Sequence, residues 1–144
     1  APGHGRGIAL VESFGSIVAP VIEASTGADG KPKVHRVTAV VDCGTVVHPD
    51  TARQQIEGAI VMGLSAALGE AITINQGAVV QRNLHAYPLL KLADTPRIEV
   101  HFIASDAAIG GIGEVGLPPV APALVNALFA ATGGRRRRLP LTTS

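Results

Sequence analysis

Residues 33–68, KVHRVTAVVDCGTVVHPDTARQQIEGAIVMGLSAAL, contain the change of hydrophobic period that decides the fold class. Up to Cys43 the apolar residues Val34, Val37, Ala39 and Val41 fall on alternate or near-alternate positions, the period of a half-buried strand. From Ala52 onward the period changes: Ile56, Ala59, Ile60, Gly63, Leu64 and Ala67 recur at steps of three and four and line one face of a helix. Between the two, residues 43–51 read as a loop. His48-Pro49-Asp50-Thr51 then reads as a helix entry in which Asp50 or Thr51 caps the first free N–H groups. Gly58 and Gly63 weaken this helix in isolation but permit close packing against it.

Upstream, residues 7–24 read as strand with Gly15 a bend or bulge, and residues 25–31 form the turn of an antiparallel hairpin with the strand at 33–43. Downstream, residues 71–75 and 78–82 flank Gln76-Gly77 as a second hairpin, and residues 83–93 are irregular. A strand at 97–104, a loop rich in glycine and proline at 105–119 and a closing helix at 120–132, stopped by Gly133-Gly134, complete the chain. The order β-β-α-β-β-β-α predicts an α+β fold, with an antiparallel or mixed sheet and two main helices, forming part of a larger domain. Residues 1–6 are expected to be a linker remnant from a longer chain, 7–134 the folded domain, and 135–144 a basic tail.

At 144 residues the chain fits one domain. Its composition is 47% hydrophobic and 16% charged, aliphatic rather than aromatic, with three Phe, one Tyr and no Trp. Together with a mean hydropathy of +0.34, this predicts that part of the apolar surface meets another polypeptide. A formal charge of +1 gives no field that would gather nucleic acid, and the run Arg135 to Arg138 is too local to change that. No apolar stretch is long enough for a membrane span. The single Cys43 forms no internal disulfide and leaves the compartment open, cytoplasmic or periplasmic. His48, His85 and His101 are scattered without metal-ligand spacing, so no direct metal ligand is expected.

The segment Gly110-Gly111-Ile112-Gly113-Glu114-Val115-Gly116-Leu117-Pro118-Pro119 packs glycines around one carboxylate just ahead of a helix. Gly111, Gly113 and Gly116 fit the spacing of a dinucleotide fingerprint, but no second strand and no acidic residue follow the helix as that motif requires. Two readings stay open on composition: a turn loop with a solvated Glu114, or a carboxylate held where glycines let the backbone approach a bulky group. Gln55 on its own reads as one more residue of an amphipathic helix.

The segment resembles the Gly-Glu loop of the molybdenum hydroxylases, the xanthine dehydrogenase and aldehyde oxidase family. A second block, Val41-Asp42-Cys43-Gly44, then Pro49, then Gln55-Ile56-Glu57-Gly58-Ala59, resembles the aspartate-x-glycine turn, proline and glutamine-x-glutamate-glycine motif of the same family, in the same order. Gly7-Ile8-Ala9, Glu12-Ser13-Phe14-Gly15-Ser16 and Arg137-Arg138-Leu139-Pro140-Leu141 look most like the isoquinoline 1-oxidoreductase beta-subunit branch. The sequence departs from the wider family at Val115, where proline is common.

The resemblance implies the C-terminal part of a molybdenum-binding large subunit. Glu114 is then the general base, and Gln55 and Gly113 contact a molybdenum–pterin cofactor in its cytosine dinucleotide form. It implies hydroxylation of an aldehyde or an N-heterocycle with oxygen from water. It also implies three partners: the remainder of the molybdenum subunit, a [2Fe–2S] small subunit and the small-molecule substrate. A glutamate in a cramped, partly desolvated loop suits proton uptake near neutrality. On this reading the isolated chain is inactive. The rival class is a non-catalytic interaction module, supported by the apolar content; an open cavity around Glu114 favours catalysis, and a buried salt bridge favours the rival.

Overall fold

The computed structural model describes residues 3–141. In it the strand run ahead of the long helix becomes β4 (Pro32–Asp42), paired antiparallel with β3 (Ser16–Thr26). On β3 the buried residues alternate through Ser16, Val18, Pro20, Ile22 and Ala24, the period of a strand with one covered face. On β4 the buried positions skip from Val34 to Val37 because the register shifts between Glu23 and Ala24. Arg36 pairs with Glu23 and Val34 with Ala24, which leaves His35 as the extra residue of a β-bulge.

The run at residues 7–24 is three strands rather than one: β1 (His4–Ile8), β2 (Val11–Ser13) and the start of β3. Phe14 (φ 54°) and Gly15 (φ 73°) are successive left-handed residues, the two-residue turn whose twist suits an antiparallel hairpin. Both β1 and β2 pair with the same edge of β3. The break between them falls opposite Pro20, whose carbonyl faces Ala9 at 3.5 Å. In an antiparallel strand a residue's N–H and C=O face the same neighbour, so the donor that proline lacks is missing on this edge.

On its other side β4 pairs in parallel with β7 (Arg97–Phe102), giving a mixed sheet in the order β1-β3-β4-β7, with β2 beside β3. The intervening chain forms α1 (Pro49–Leu68), a small hairpin of β5 (Ile74–Asn75) and β6 (Ala78–Val79), and two short 3-10 turns. The last helix, α2 (Val120–Thr132), ends on Gly133, which caps it in the left-handed conformation. The α+β class with a mixed sheet and two helices is thus as the hydrophobic pattern predicts.

The helix α2 covers β1 and β3, and α1 packs against α2 and β7. The fully buried side chains of Ile22, Val37, Ile56, Leu64, Leu124 and Leu128 lie in one core between sheet and helices. Each such aliphatic contributes roughly 1.5–3 kcal/mol relative to exposure. The helix α1 starts at Pro49, earlier than its apolar period indicates. Its cap is His48, whose Nδ1 accepts the Thr51 N–H at 3.2 Å, rather than Asp50 or Thr51.

The strand β1 begins at His4, inside the segment read as a linker, while Ala1 and Pro2 lie outside the described residues. The basic segment from Arg135 runs back over the fold. Arg136 donates to the Gly30 carbonyl at 3.1 Å, and Leu141 is buried with its N–H on the Ala67 carbonyl at 2.9 Å. Residues 142–144 of that segment lie outside the described residues.

The strand β1 meets α2 backbone to backbone. A Cβ on Gly7 would lie 2.2 Å from both the Ala123 carbonyl oxygen and the Ala127 nitrogen, atoms that cannot rotate away. Gly7→Ala is therefore expected to destabilise the protein by about 1–3 kcal/mol or more, read as a lowered Tm; an unchanged Tm would contradict this packing.

On the opposite sheet face Glu99 sits between Arg36 and Arg97, the latter at 2.7 Å. The hydrogen bond from Arg36 holds the Glu99 carboxyl below its ordinary value, burial opposing. A depressed carboxylate stabilises the fold above its unfolded value and loses that contribution as pH falls through the lower folded value. The stability advantage of the wild type over Arg36→Gln at neutral pH should shrink as the solution is acidified below about pH 4, as followed by urea unfolding.

Candidate active site

Two segments far apart in the chain build one cleft. The first is the opening of α1, fixed by the His48 cap, by Pro49 in the first turn and by the burial of Ala52 and Ile56 on the core side. This phase leaves Thr51, Gln54, Gln55, Gly58 and Met62 off the core face. The second is the loop carrying Gly113 and Glu114, together with Leu117 and Pro118 just ahead of α2. Between the two lies a cleft of about 680 Å³. Gln55, Gly113 and Glu114, the three site residues expected from the sequence, all line it.

Gly116 sets how closely the walls approach. A Cβ there would lie 3.0 Å from Ala59 Cβ and 3.1 Å from the Ile56 carbonyl oxygen, so the loop rests directly on α1. Val115, beside it, is completely buried, although the position lacks the family's common proline. The Glu114 carbonyl accepts the Leu117 N–H at 3.0 Å, and the Leu117 carbonyl accepts the Val120 N–H at 3.2 Å. These turns carry the chain from the loop into α2.

The Glu114 side chain is exposed, and among the described residues no ion pair involves it. Among the described residues nothing covers the cleft, and Glu114 is exposed rather than partly desolvated as its loop led one to expect. Gln54 and Gln55 are also exposed, and among the described residues their amides find no hydrogen-bond partner. Gly58 and Gly113 have open space where a Cβ would stand. The wall thus offers unpaired amide donors and acceptors, a hydroxyl, a carboxylate and bare backbone, with Met62 and Leu117 as its apolar part. A flat polar group with donor and acceptor edges, such as a pterin, fits such a wall.

Other candidates fall elsewhere. Neither Glu57 nor His85 lines the cleft, and His85 is exposed in a 3-10 turn. Cys43 is buried; burial pushes its thiol up, and the neighbouring Asp42 adds to the shift, which keeps it in the unreactive thiol form. Gln54 and Met62 were not singled out in the sequence, and Thr51 and Gly58 were read there as a cap and a packing glycine rather than as cleft residues. Their signal was present, since on a helix positions 51, 54, 55, 58 and 62 share a face with Gln55.

Residues 13–96 match the family described as molybdopterin cofactor-binding domain. The chain is 40% identical over 108 residues to the beta subunit of isoquinoline 1-oxidoreductase from Brevundimonas diminuta, covering 75% of this chain and 14% of that protein. It is 42% identical over 120 residues to the membrane-bound aldehyde dehydrogenase [pyrroloquinoline-quinone] of Gluconacetobacter polyoxogenes, covering 83% of this chain and 15% of that one. The fold matches the aldehyde oxidoreductase of Desulfovibrio desulfuricans ATCC 27774 with a TM-score of 0.77 at 23% identity, covering 87% of this chain and 14% of that one. The chain therefore spans only 14–15% of the length of these proteins.

A side chain at position 116 requires α1 to give by a few tenths of an ångström at Ala59 and Ile56, whereas one at 113 meets open space. Gly116→Ala should destabilise the protein by roughly 1–3 kcal/mol and Gly113→Ala by no more than about 0.5 kcal/mol, compared by urea unfolding; equal effects would contradict the wall contact at Gly116.

Proposed function

Since this chain belongs to the molybdopterin cofactor-binding domain family of xanthine dehydrogenase type oxidoreductases, we propose that it forms one wall of the active site of a molybdenum hydroxylase acting on an aldehyde or an N-heterocycle. Residues 7–134, extended by the start of β1 at His4 and by the buried Leu141, form its working core, the C-terminal part of a cofactor-binding domain. The observation that carries the reading is the shared cleft: Gln55 on α1 and Glu114 on the glycine loop are 59 positions apart in sequence and line the same space.

In this reading Gln55 holds the pterin edge through its amide, one carbonyl acceptor and two N–H donors on a rigid helix. Gly113 offers bare backbone for close approach of the same group. The molybdenum–pterin group, here in its cytosine dinucleotide form, supplies the two-electron redox chemistry when bound. Glu114 takes up the proton released as oxygen from water is transferred to the substrate carbon, and returns it to solvent afterwards. Met62 and Leu117, both exposed on this wall, supply its apolar part. The remainder of the molybdenum subunit closes the cleft and desolvates Glu114, and a [2Fe–2S] partner carries electrons away; the chain alone has no turnover.

The open surroundings of Glu114 and the lack of an ion pair to it among the described residues support this reading over a purely structural module. One relative's name carries pyrroloquinoline quinone instead, so cofactor analysis belongs in the test. In the complete enzyme Glu114→Gln should lower kcat by about 10²–10⁴-fold with molybdenum and pterin content unchanged, whereas Gln55→Ala should lower cofactor retention. Wild-type turnover in the Glu114 variant, or a quinone in place of molybdenum and pterin, would overturn the assignment.

A further inference from the structure

We propose that Asp42 and Ser105 are positioning residues that anchor the loop presenting Glu114. The proposal rests on the reading of Glu114 as the proton acceptor. Asp42 is the last residue of β4, and Ser105 lies three residues beyond the end of β7, so the parallel β4–β7 pair brings the two together. The Ser105 hydroxyl donates to Asp42 Oδ1 at 2.6 Å, and the same oxygen accepts the Gly44 N–H at 3.3 Å. One carboxylate thus ties the start of the loop to the turn that follows β4.

The loop from this anchor to Glu114 is laid against backbone. A Cβ on Gly44 would lie 2.4 Å from the Ala107 carbonyl oxygen and 2.6 Å from that of Ala108, so the turn after β4 touches the loop directly. The Gly110 N–H donates to the Cys43 carbonyl at 3.0 Å, and the Gly111 N–H donates to the Phe14 carbonyl at 2.8 Å. A Cβ on Gly110 would lie 2.4 Å from the Gly15 carbonyl oxygen. Gly110 and Gly111 are therefore clamped between the turn after β4 and the turn between β2 and β3. Beyond Glu114 the next residue, Val115, is buried in the core. Only residues 112–114 lie between the two fixed points.

Residues 106–109 are exposed, so no apolar packing holds the entry to the clamp. Polar bonds hold it instead, and among the described residues the Asp42–Ser105 pair is the one made between side chains. Without the serine hydroxyl, the loop entry gains freedom and Gly110 and Gly111 open more often. Glu114 then spends less time in its working position. A displacement of this kind costs turnover and leaves substrate affinity nearly unchanged.

The test uses the complete enzyme with Ser105→Ala, Ser105→Thr and Glu114→Gln, alone and combined. In Ser105→Ala, kcat should fall about 10-fold with KM within about twofold. Molybdenum content should be unchanged, and amide exchange should be faster at residues 110 and 111 but not along α1. Ser105→Thr keeps the hydroxyl and should restore kcat to within about twofold. In the Glu114→Gln background Ser105→Ala should cost nothing further, because its effect runs through Glu114.

Wild-type kcat and exchange in Ser105→Ala, a full additional loss in the Glu114→Gln background, or a fall in activity matched by a fall in molybdenum would each overturn the proposal. If Glu114→Gln itself turns over normally, the reading of Glu114 fails. If Glu114→Gln is inactive and Ser105→Ala is normal, the anchor alone fails.

Discussion

The candidate site depends on glycine main chain lying directly against neighbouring backbone and short side chains. The strand β1 touches α2 through Gly7, the Glu114 loop touches α1 through Gly116, and the same loop is gripped through Gly110 by the turn ahead of β3. The backbone atoms at these contacts cannot rotate aside, so they hold a distance more tightly than ordinary side-chain packing does. These contacts set the relative places of two helices and one loop, and the cleft is the space left between α1 and that loop. The aliphatic core supplies most of the stabilisation, while the glycine contacts determine the geometry.

This arrangement explains why a loop with little apolar content carries the carboxylate. Glu114 is flanked on one side by backbone hydrogen bonds to Cys43 and Phe14 and on the other by the buried Val115. Its backbone is set by the scaffold while its side chain stays exposed to the cleft. The facing wall is equally rigid, because Gln55 sits one position from the buried Ile56 on a capped helix. A carboxylate and an amide are thus presented across a common space by elements held through the core and through backbone contacts.

Much of this was legible in the amino-acid sequence because it is written locally. The alternation at Val37, Ala39 and Val41 and the three-and-four spacing from Ile56 to Ala67 name a strand and a helix through period alone. Gln55, Gly113 and Glu114 came from resemblance and not from period, and the cleft brings all three together. What stayed hidden depends on pairing across the chain. The break between β1 and β2 reflects a donor missing from Pro20 on another strand, and the bulge at His35 exists only relative to β3. The parallel pairing of β4 with β7 brings Asp42 to Ser105, residues 63 positions apart that no local pattern connects. The cap at His48 was missed because histidine is not among the usual capping residues.

The central claim is that the cleft between α1 and the Glu114 loop is one wall of a molybdenum–pterin site. A structure of the complete enzyme with its cofactor tests this most directly. The account predicts the pterin against this wall, with the Gln55 amide within hydrogen-bond distance of it and the Glu114 carboxylate facing the metal centre. Protein side chains filling the cleft, with Glu114 paired to a cation and the cofactor bound elsewhere, would contradict it.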